Sequence, residues 1–230
     1  MKFGVTQAFA CSYLSEKQEQ LLVCMEEDSL LEQQYSTLIQ VGFRRSGEQL
    51  YRPHCKKCNA CESLRIMTAS FQPSKSQKRI LKRNTDIDIK IVEDERDDYY
   101  QLYERYISQK HADGSMYPPS YEQYRNFIHC NWQQPLYIEG RIDSQLVGVA
   151  VTDKVAGGLS ALYSFFEPEL SSRSLGTYFI LQQIALCKDR DVPYLYLGYQ
   201  IDQCSKMNYK NKFYPHQRYQ NDKWTLYKQR

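Results

Sequence analysis

Three cysteines lie within seven positions of the sequence, at Cys55, Cys58 and Cys61. They form two overlapping Cys-x2-Cys pairs, a spacing that zinc ligands use. A tetrahedral site needs a fourth ligand, for which Cys11 is the best candidate, with Cys24 or His54 behind it. The alternative is that these residues are reduced thiols packed in the interior. The spacing leaves both interpretations open, and neither gives the cysteines a catalytic role.

Length and composition limit the classes of protein to consider. The chain has 230 residues, eight cysteines and a formal net charge of +3, which suits one large domain or two small ones. No apolar run reaches about 18 residues, so we expect no membrane partner. The N-terminal segment lacks the apolar stretch of a signal peptide. We therefore expect a cytoplasmic protein, whose cysteines are reduced or bind metal instead of forming disulfides.

Basic residues are concentrated in two segments. Residues 74–83 predict a helix with five cations on one face, at Lys75, Lys78, Arg79, Lys82 and Arg83. The second segment runs from Asp202 to the C-terminus and holds seven Lys or Arg against two Asp. Two basic surfaces are typical of proteins that bind a phosphate backbone. A solvated helix face and a charged tail are the alternative.

The predicted elements divide the chain into a smaller Cys-containing α/β part, 1–72, and a larger α+β part, 73–230. In the first part we expect a helix near 26–34 and strands at 37–45, 49–55 and 63–71. In the second part the basic helix, a strand and two helices precede three strands, which short turns at 143–144 and 156–158 join as an antiparallel meander. A loop, a long helix at 177–191 and a strand at 194–199 follow.

This order of meander, loop, helix and strand resembles the acyl-CoA N-acetyltransferase (GNAT) fold. In that fold the loop before the helix turns backbone N–H groups toward a phosphate-bearing acyl donor. The segment 171–176 is a weak match to the loop, since Arg173 and Gly176 are present without the glycine-rich signature.

A family resemblance is carried by segment 194–217, which reads YLYLGYQIDQCSKMNYKNKFYPHQ. It resembles a sequence block of the arginyl-tRNA–protein transferase family. Three other segments resemble the family's bacterial branch, the aspartate/glutamate leucyltransferases: CSYL, YRPHCKKCNACESLRI and RSLGTYFILQQI. The resemblance extends from about Cys11 to Pro215. Two residues depart from the pattern, because Ser115 stands where the branch usually has an acid and Glu167 where Asp is common.

The resemblance implies an enzyme that moves leucine from leucyl-tRNA to the α-amine of a protein beginning with Asp or Glu. The new N-terminal leucine would mark that protein for degradation by the N-degron pathway. The implied fold is GNAT-like, with aminoacyl-tRNA replacing acyl-CoA as donor. The family's eukaryotic branch is associated with an iron–sulfur cluster, so a structural zinc or iron–sulfur cluster on Cys11, Cys55, Cys58 and Cys61 stays open. The reaction itself needs no cofactor.

Transfer of an aminoacyl ester to an amine requires positioning, a proton acceptor and oxyanion stabilisation. Asp202, which follows the last predicted strand, is the candidate proton acceptor, with an exposed loop carboxylate as the alternative. Arg65 is the candidate for binding the acceptor's acidic side chain, because a charge in an alternating strand needs a partner. A structural ion pair is its alternative.

Further residues are candidates for substrate binding on the strength of the family block and the GNAT-type loop. If their segment is helical, Lys206 and Lys210 would lie on one face, where they could contact the tRNA 3′-end phosphates or the acceptor's acidic side chain. The complete set is Arg65, Arg173, Gly176, Tyr199, Lys206, Tyr209 and Lys210.

Two other functions compete with this interpretation. An acetyl-CoA-dependent N-acetyltransferase would share the fold but leave the basic C-terminal block unexplained. A non-enzymatic zinc-ribbon RNA-binding protein would explain the cysteines and the basic faces but not the block after the last strand.

Overall fold

The computed structural model describes residues 1–114 and 116–228. Ser115, one of the two departures from the family pattern, therefore lies outside the described residues. The five α-helices of the described ranges are α1 (Asp28–Leu38), α2 (Lys75–Arg83), α3 (Tyr99–Lys110), α4 (Tyr121–Ile128) and α5 (Leu175–Asp189). Three short 3-10 helices lie at Ile39–Val41, Pro168–Arg173 and Asn208–Lys212.

The strands are β1 (Phe3–Val5), β2 (Phe9–Ala10), β3 (Gln18–Glu19), β4 (Leu21–Cys24), β5 (Arg44–Ser46), β6 (Gln49–Pro53), β7 (Glu62–Met67), β8 (Asp88–Val92), β9 (Leu136–Ile142), β10 (Gln145–Val155), β11 (Gly158–Phe166), β12 (Tyr194–Gln200), β13 (His216–Gln220) and β14 (Lys223–Tyr227). Eight of them form the main sheet, in the order β14-β13-β7-β12-β11-β10-β9-β8. A four-stranded sheet has the order β1-β4-β6-β5, and β2 pairs with β3.

The main sheet is covered on both faces. On one face, α2 and α5 pack over a core that includes Leu64, Ile66 and Phe179. On the other face, α3 and α4 cover the meander through Tyr103 and Phe165. The four-stranded sheet and α1 cover the neighbouring part of that face in a third cluster. The main sheet is thus a layer between helices and a smaller sheet, and the α+β expectation is confirmed.

The meander, the loop and the last helix form as their sequence pattern predicts. β9, β10 and β11 are antiparallel neighbours, and α5 leads to β12, which pairs with β11 in parallel. The basic helix begins at Ser74, whose hydroxyl accepts from the Gln77 N–H in a capping box. None of the helices in these ranges is long and apolar enough to cross a lipid bilayer.

The strand predicted at 37–45 is wrong over most of its length. Helix α1 continues to Leu38, the 3-10 turn follows, and β5 begins only at Arg44 after Gly42 in a left-handed conformation with φ of 88°. A short apolar run is compatible with a strand or a buried helix end. Here Leu38 and Ile39 are buried against the third core cluster, and this packing favours the helix.

The predicted boundary between residues 72 and 73 does not separate two sheets. β7 belongs to the first predicted part, yet it lies inside the main sheet between β13 and β12. The hairpin of β13 and β14, which no sequence pattern had predicted, adds two more strands beside it. The division into two parts stays a prediction.

Candidate active site

The main sheet separates along one line, between β11 and β12. These strands pair at three positions only, from Gly158 with Tyr194 to Ser160 with Tyr196. Beyond that point β11 stays with β10, whereas β12 follows β7 with an irregularity between Tyr196 and Gly198. Backbone groups that face the gap lose their ladder partners and need others. We call this gap the β11–β12 opening.

Gly198 permits the bend of β12 at the opening. Its φ is 84°, in the left-handed region that side chains other than glycine rarely adopt. A Cβ atom at this position would lie 3.7 Å from Arg44 Nε, so space alone would allow a side chain. The backbone conformation is therefore the reason for glycine here.

Arg44, from β5, reaches into the opening from the smaller sheet. Its Nη2 donates a hydrogen bond of 2.6 Å to the carbonyl oxygen of Ala161, the first β11 residue beyond the pairing with β12. The residue is 5% exposed. Its Nη1 is buried and has no hydrogen-bond acceptor among the described residues. Arg44 thus supplies a hydrogen bond to the Ala161 carbonyl at one edge of the opening, and its Nη1 is left as an unused donor.

Lys210, from the last 3-10 helix, occupies the opposite edge. Its Nζ donates to the carbonyl oxygen of Tyr199 on β12 at 2.9 Å and lies 3.4 Å from the sulfur of Met207. The residue is only 4% exposed. Burial, and next the positive charge of Arg44, lower the pKa of Lys210 to about 7, against the opposing effects of the Cys204 and Cys61 thiols. An amine with this pKa can accept or release a proton near neutral pH.

A buried ion pair fixes β5, and with it Arg44, against the meander. Arg45 donates from Nε and Nη2 to the two carboxylate oxygens of Asp153, both at 2.8 Å, and both side chains are fully buried. Tyr35 adds a hydrogen bond of 2.9 Å to the same carboxylate. Successive side chains of a strand point to opposite faces, so anchoring Arg45 positions Arg44 on the other side of β5.

Asp202, the predicted proton acceptor, is held in an ion pair. Its carboxylate accepts from Arg218 Nη1 at 2.9 and 3.1 Å and from Gln200 at 2.8 Å. The hydrogen bond from Arg218 lowers the pKa of Asp202, so this carboxylate is a weaker base than an ordinary aspartate. The geometry favours Lys210 over Asp202 as proton acceptor.

Arg65, the predicted partner of the acceptor's carboxylate, lies between aromatic rings. Its guanidinium carbon is 3.8 Å from the ring centre of Tyr194 and 4.1 Å from that of Trp224. Its Nε donates to Gln217 at 2.7 Å, and Nη1 to the Tyr196 hydroxyl at 3.3 Å. The structural ion pair considered as the alternative is not formed with any described carboxylate. Stacking and neutral acceptors account for its burial.

The predicted pairing of Lys206 with Lys210 on one helix face is wrong. Lys206 precedes the 3-10 helix, is exposed, and forms an ion pair of 2.6 Å with Asp113. Lys210 points inward instead. Tyr199 is buried, and its hydroxyl lies within hydrogen-bond distance of the carbonyl oxygens of Gly42, just before β5, and of Tyr51 on β6. The ring of Tyr209 is partly exposed and lies 4.9 Å from the Lys210 Nζ. Of this group, Tyr199, Tyr209 and Lys210 meet near the opening.

The two predicted substrate-binding residues before or at the start of α5, Arg173 and Gly176, both make structural contacts. Arg173 forms a two-pronged ion pair with Asp86 at 2.8 Å on both sides. A Cβ atom on Gly176 would lie 3.2 Å from the ring of Phe166, so glycine allows α5 to approach that ring closely. Neither contact tests whether the loop also binds a donor phosphate, which stays a prediction.

The four predicted metal-binding cysteines line one cavity of about 530 Å³, together with Glu62 and residues of the β13–β14 turn. Burial, reinforced by the neighbouring thiols of Cys11 and Cys55, raises the pKa of Cys61 to about 12. Within residues 1–114 and 116–228, no three Cys, His, Asp or Glu side chains are arranged to hold a metal ion. The cysteines share a cavity without forming a ligand set, and the predicted zinc or cluster stays a prediction.

Sequence reasoning missed Arg44. The argument applied to Arg65, that a charge in a buried strand needs a partner, applies equally to Arg44 and Arg45 in the predicted strand. The sequence gives no signal that one of these neighbours meets a distant carboxylate and the other does not.

The chain is similar to known proteins along nearly its whole length. The model of the family described as "Arginine-tRNA-protein transferase, N terminus" matches residues 9–79, and that of the C terminus matches residues 98–220. An aspartate/glutamate leucyltransferase of Pseudoalteromonas atlantica is 54% identical over 98% of this chain and 97% of that protein. Proteins of the same name from Aeromonas hydrophila and Pseudomonas fluorescens are 51% and 45% identical, each over at least 97% of this chain.

A solved structure has a similar fold. It is the C-terminal domain of a protein described as a lysylphosphatidylglycerol synthetase from Agrobacterium fabrum, with a TM-score of 0.51 and 12% identity. The match covers 84% of this chain and 62% of that chain, and at this identity it concerns the fold alone. Both parts of the family sequence occur here in order, and the relatives match from end to end. The chain belongs to the arginine-tRNA-protein transferase family of aminoacyltransferases.

Proposed function

We propose that the chain transfers leucine from leucyl-tRNA to the α-amine of proteins whose first residue is Asp or Glu. The choice of leucine and of acidic acceptors is supported chiefly by the similarity to aspartate/glutamate leucyltransferases, at 54% identity over 98% of the chain. The product carries an N-terminal leucine, which suits the N-degron role that the family resemblance implies. Because aminoacyl-tRNA is a cytosolic molecule, we expect the proposed reaction to occur in the cytoplasm.

The reaction is aminolysis of an ester and balances without a cofactor. The acceptor's α-nitrogen attacks the leucyl carbonyl carbon, the new C–N bond forms, and the C–O bond to the tRNA ribose breaks. One proton leaves the amine and one reaches the ribose oxygen. Neutral Lys210 is well placed to accept the first proton, because its Nζ is buried at the β11–β12 opening and its pKa lies at about 7. No thiol or metal takes part in these steps.

Positioning contributes much of the rate in such a reaction, since a bound amine and ester react as one molecule. An α-amine has a pKa of about 7.7 to 8.0, so part of it is already neutral at pH 7. A protein base with a pKa near 7 is therefore suited to accept the proton that the amine loses when the C–N bond forms.

The test is a transfer assay with purified full-length chain, leucyl-tRNA and peptides beginning with Glu, Asp, Gln or Asn. We expect mass spectrometry to detect one added leucine on the Glu and Asp peptides and little on the amides. A parallel reaction with acetyl-CoA examines the N-acetyltransferase alternative. Acetylation without leucyl transfer, or no product from either donor, would contradict the proposed function.

The exposed face of α2 is the proposed contact for the tRNA backbone. Its lysines and arginines are solvent-exposed. Apart from that of Arg83, which donates to the Ser172 carbonyl, none of their side chains has a hydrogen-bonded partner in the part of the chain that the structure describes. They are Lys75, Lys78, Arg79, Lys82 and Arg83. Unpaired cations are available to phosphates, and each contact releases a counterion.

Replacing Lys78, Arg79 and Lys82 by Ala should weaken tRNA binding and reduce its salt dependence. Each lost phosphate contact lowers the slope of log affinity against log salt by roughly 0.7 to 0.9. The measurement is tRNA affinity at several salt concentrations. A variant with Lys2, Lys90 and Lys154 replaced by Ala has the same net charge and serves as control. Equal slopes in the two variants would contradict the tRNA contact and favour the alternative, in which α2 presents a solvated face.

A further inference from the structure

Four arginines are buried in the described ranges, and they differ in what accepts their hydrogen bonds. Arg45 is paired with Asp153, and Arg218 with Asp202 and Glu62. Arg65 is stacked between two aromatic rings. Arg44 has only the Ala161 carbonyl, and of the four it alone keeps a buried nitrogen without an acceptor.

We propose that Arg44 binds the side-chain carboxylate of the acceptor's first residue and thereby sets the preference for Asp and Glu. This inference rests on the proposed function and assigns to Arg44 the role that the sequence alone had suggested for Arg65.

The first support is charge compensation. A buried guanidinium destabilises a protein unless hydrogen bonds and an opposite charge accompany it. The adjacent Arg45 has both, whereas Arg44 has no carboxylate partner among the described residues. An Arg fork matches a carboxylate with two parallel hydrogen bonds. An acidic side chain of the acceptor would supply the acceptor atom and the charge that Arg44 lacks.

The second support is position. Arg44 and Lys210 satisfy backbone carbonyls on the two edges of the β11–β12 opening, at Ala161 and Tyr199. Only one or two methylene groups separate the carboxylate of an N-terminal Asp or Glu from its α-carbon. A residue held by Arg44 therefore keeps its α-amine close to that carboxylate, and thus near the opening that Lys210 borders.

The charge of Arg44 also acts on Lys210. It is the largest electrostatic contribution to the lowered pKa of Lys210 after burial. A carboxylate bound to Arg44 would offset that repulsion and favour protonation of Lys210. The pKa of Lys210 would then be higher in the complex, so Lys210 that is still neutral would be a stronger base for the α-amine proton.

An amide cannot replace the carboxylate at this position. The carboxamides of Gln and Asn have nearly the same shape but carry no charge, and their NH2 group offers donors where Arg44 also offers donors. Sites built around a charged partner reject such analogues because the buried group stays unpaired.

The experiment compares Arg44→Gln with Arg65→Gln and the wild type, using leucyl-tRNA and matched Glu and Gln peptides. For Arg44→Gln we expect kcat/KM with the Glu peptide to fall on the order of 100-fold, with the Gln peptide nearly unchanged. The ratio between the two peptides should therefore collapse, while KM for leucyl-tRNA stays near that of the wild type. Arg65→Gln should keep the ratio, whatever it does to stability.

Three results would overturn the proposal. The first is full discrimination between Glu and Gln in folded Arg44→Gln. The second is collapse of the ratio in Arg65→Gln instead. The third is a raised KM for leucyl-tRNA without a change in the peptide ratio, which would assign Arg44 to a tRNA phosphate. If the wild-type chain transfers leucine to no peptide, the proposed function itself is contradicted. That result differs from the three above, in which the wild type is active and only the role of Arg44 is contradicted.

Arg44→Lys covers the case in which Arg44→Gln does not fold. It keeps a positive charge near the Ala161 carbonyl but loses the fork. We expect a folded protein with a reduced Glu-to-Gln ratio, and an unchanged ratio would contradict the proposal.

Discussion

Lys210→Met should reduce leucyl transfer by roughly 10²- to 10⁴-fold, the usual contribution of a positioned proton acceptor. Methionine fills a similar volume without an ionisable group, so the opening keeps its shape. The loss should appear in kcat with saturating leucyl-tRNA and Glu peptide, because the proton moves during the chemical step. Lys212→Met, in the same 3-10 helix but exposed, is the matched control and should keep its kcat.

The pH profile separates a base from a structural lysine. Lys210 must be neutral to accept a proton. Wild-type kcat/KM for the Glu peptide, which reports groups of the free enzyme and free peptide, should therefore rise with pH through about 7, the pKa of Lys210 without bound acceptor, and level off once the α-amine is also neutral. In Lys210→Met this rise should disappear and leave only the titration of the acceptor's α-amine, at about 7.7 to 8.0. A near-wild-type kcat, or an unaltered rise through 7, would exclude Lys210 as the base.

Stability gives an independent check on Lys210. Its pKa is lowered from 10.5 to about 7 on folding, so between these values the unfolded chain binds more protons than the folded one. The free energy of unfolding therefore increases with pH across that interval, and the destabilisation by Lys210 is greatest below about pH 7. Lys210→Met should lose this pH dependence together with the hydrogen bond to the Tyr199 carbonyl, and unfolding measured over the same pH range separates loss of activity from loss of fold.

Asp153→Asn should destabilise the protein by about 3–5 kcal/mol, because it leaves the buried Arg45 guanidinium without its counterion. Both side chains of this pair are fully buried, and Tyr35 also donates to the carboxylate. The substitution keeps the size of the side chain, so loss of charge is the main change. Denaturant unfolding followed by circular dichroism measures the effect.

Asp88→Asn is the control for this substitution. Asp88 pairs with Lys90 on the surface, where both side chains are mostly exposed, and such pairs contribute about 0–1 kcal/mol. A loss in Asp153→Asn as small as that of the control would mean that β5 is held to the meander by other contacts. Arg44 would then not depend on Arg45 for its position.

Local pattern determined much of the fold. The cationic repeat predicted α2, since it depends on residues three or four positions apart. Short turns at 143–144 and 156–158 predicted the meander, and the order of meander, loop, helix and strand predicted the α+β fold. The family block at 194–217 indicated the chemistry. It also contained Lys210, although its spacing suggested an exposed partner of Lys206.

The tertiary structure decided the charge state and the partner of each candidate. Arg45 meets Asp153 across 108 positions of sequence, and Arg218 meets Glu62 across 156, so no local pattern shows which arginine is neutralised. Burial of Lys210 depends on the separation of β11 from β12, a property of the whole sheet. Compensation of a buried charge depends on distances in space, and these distances distinguish Arg44 and Lys210 from the other cations within residues 1–114 and 116–228.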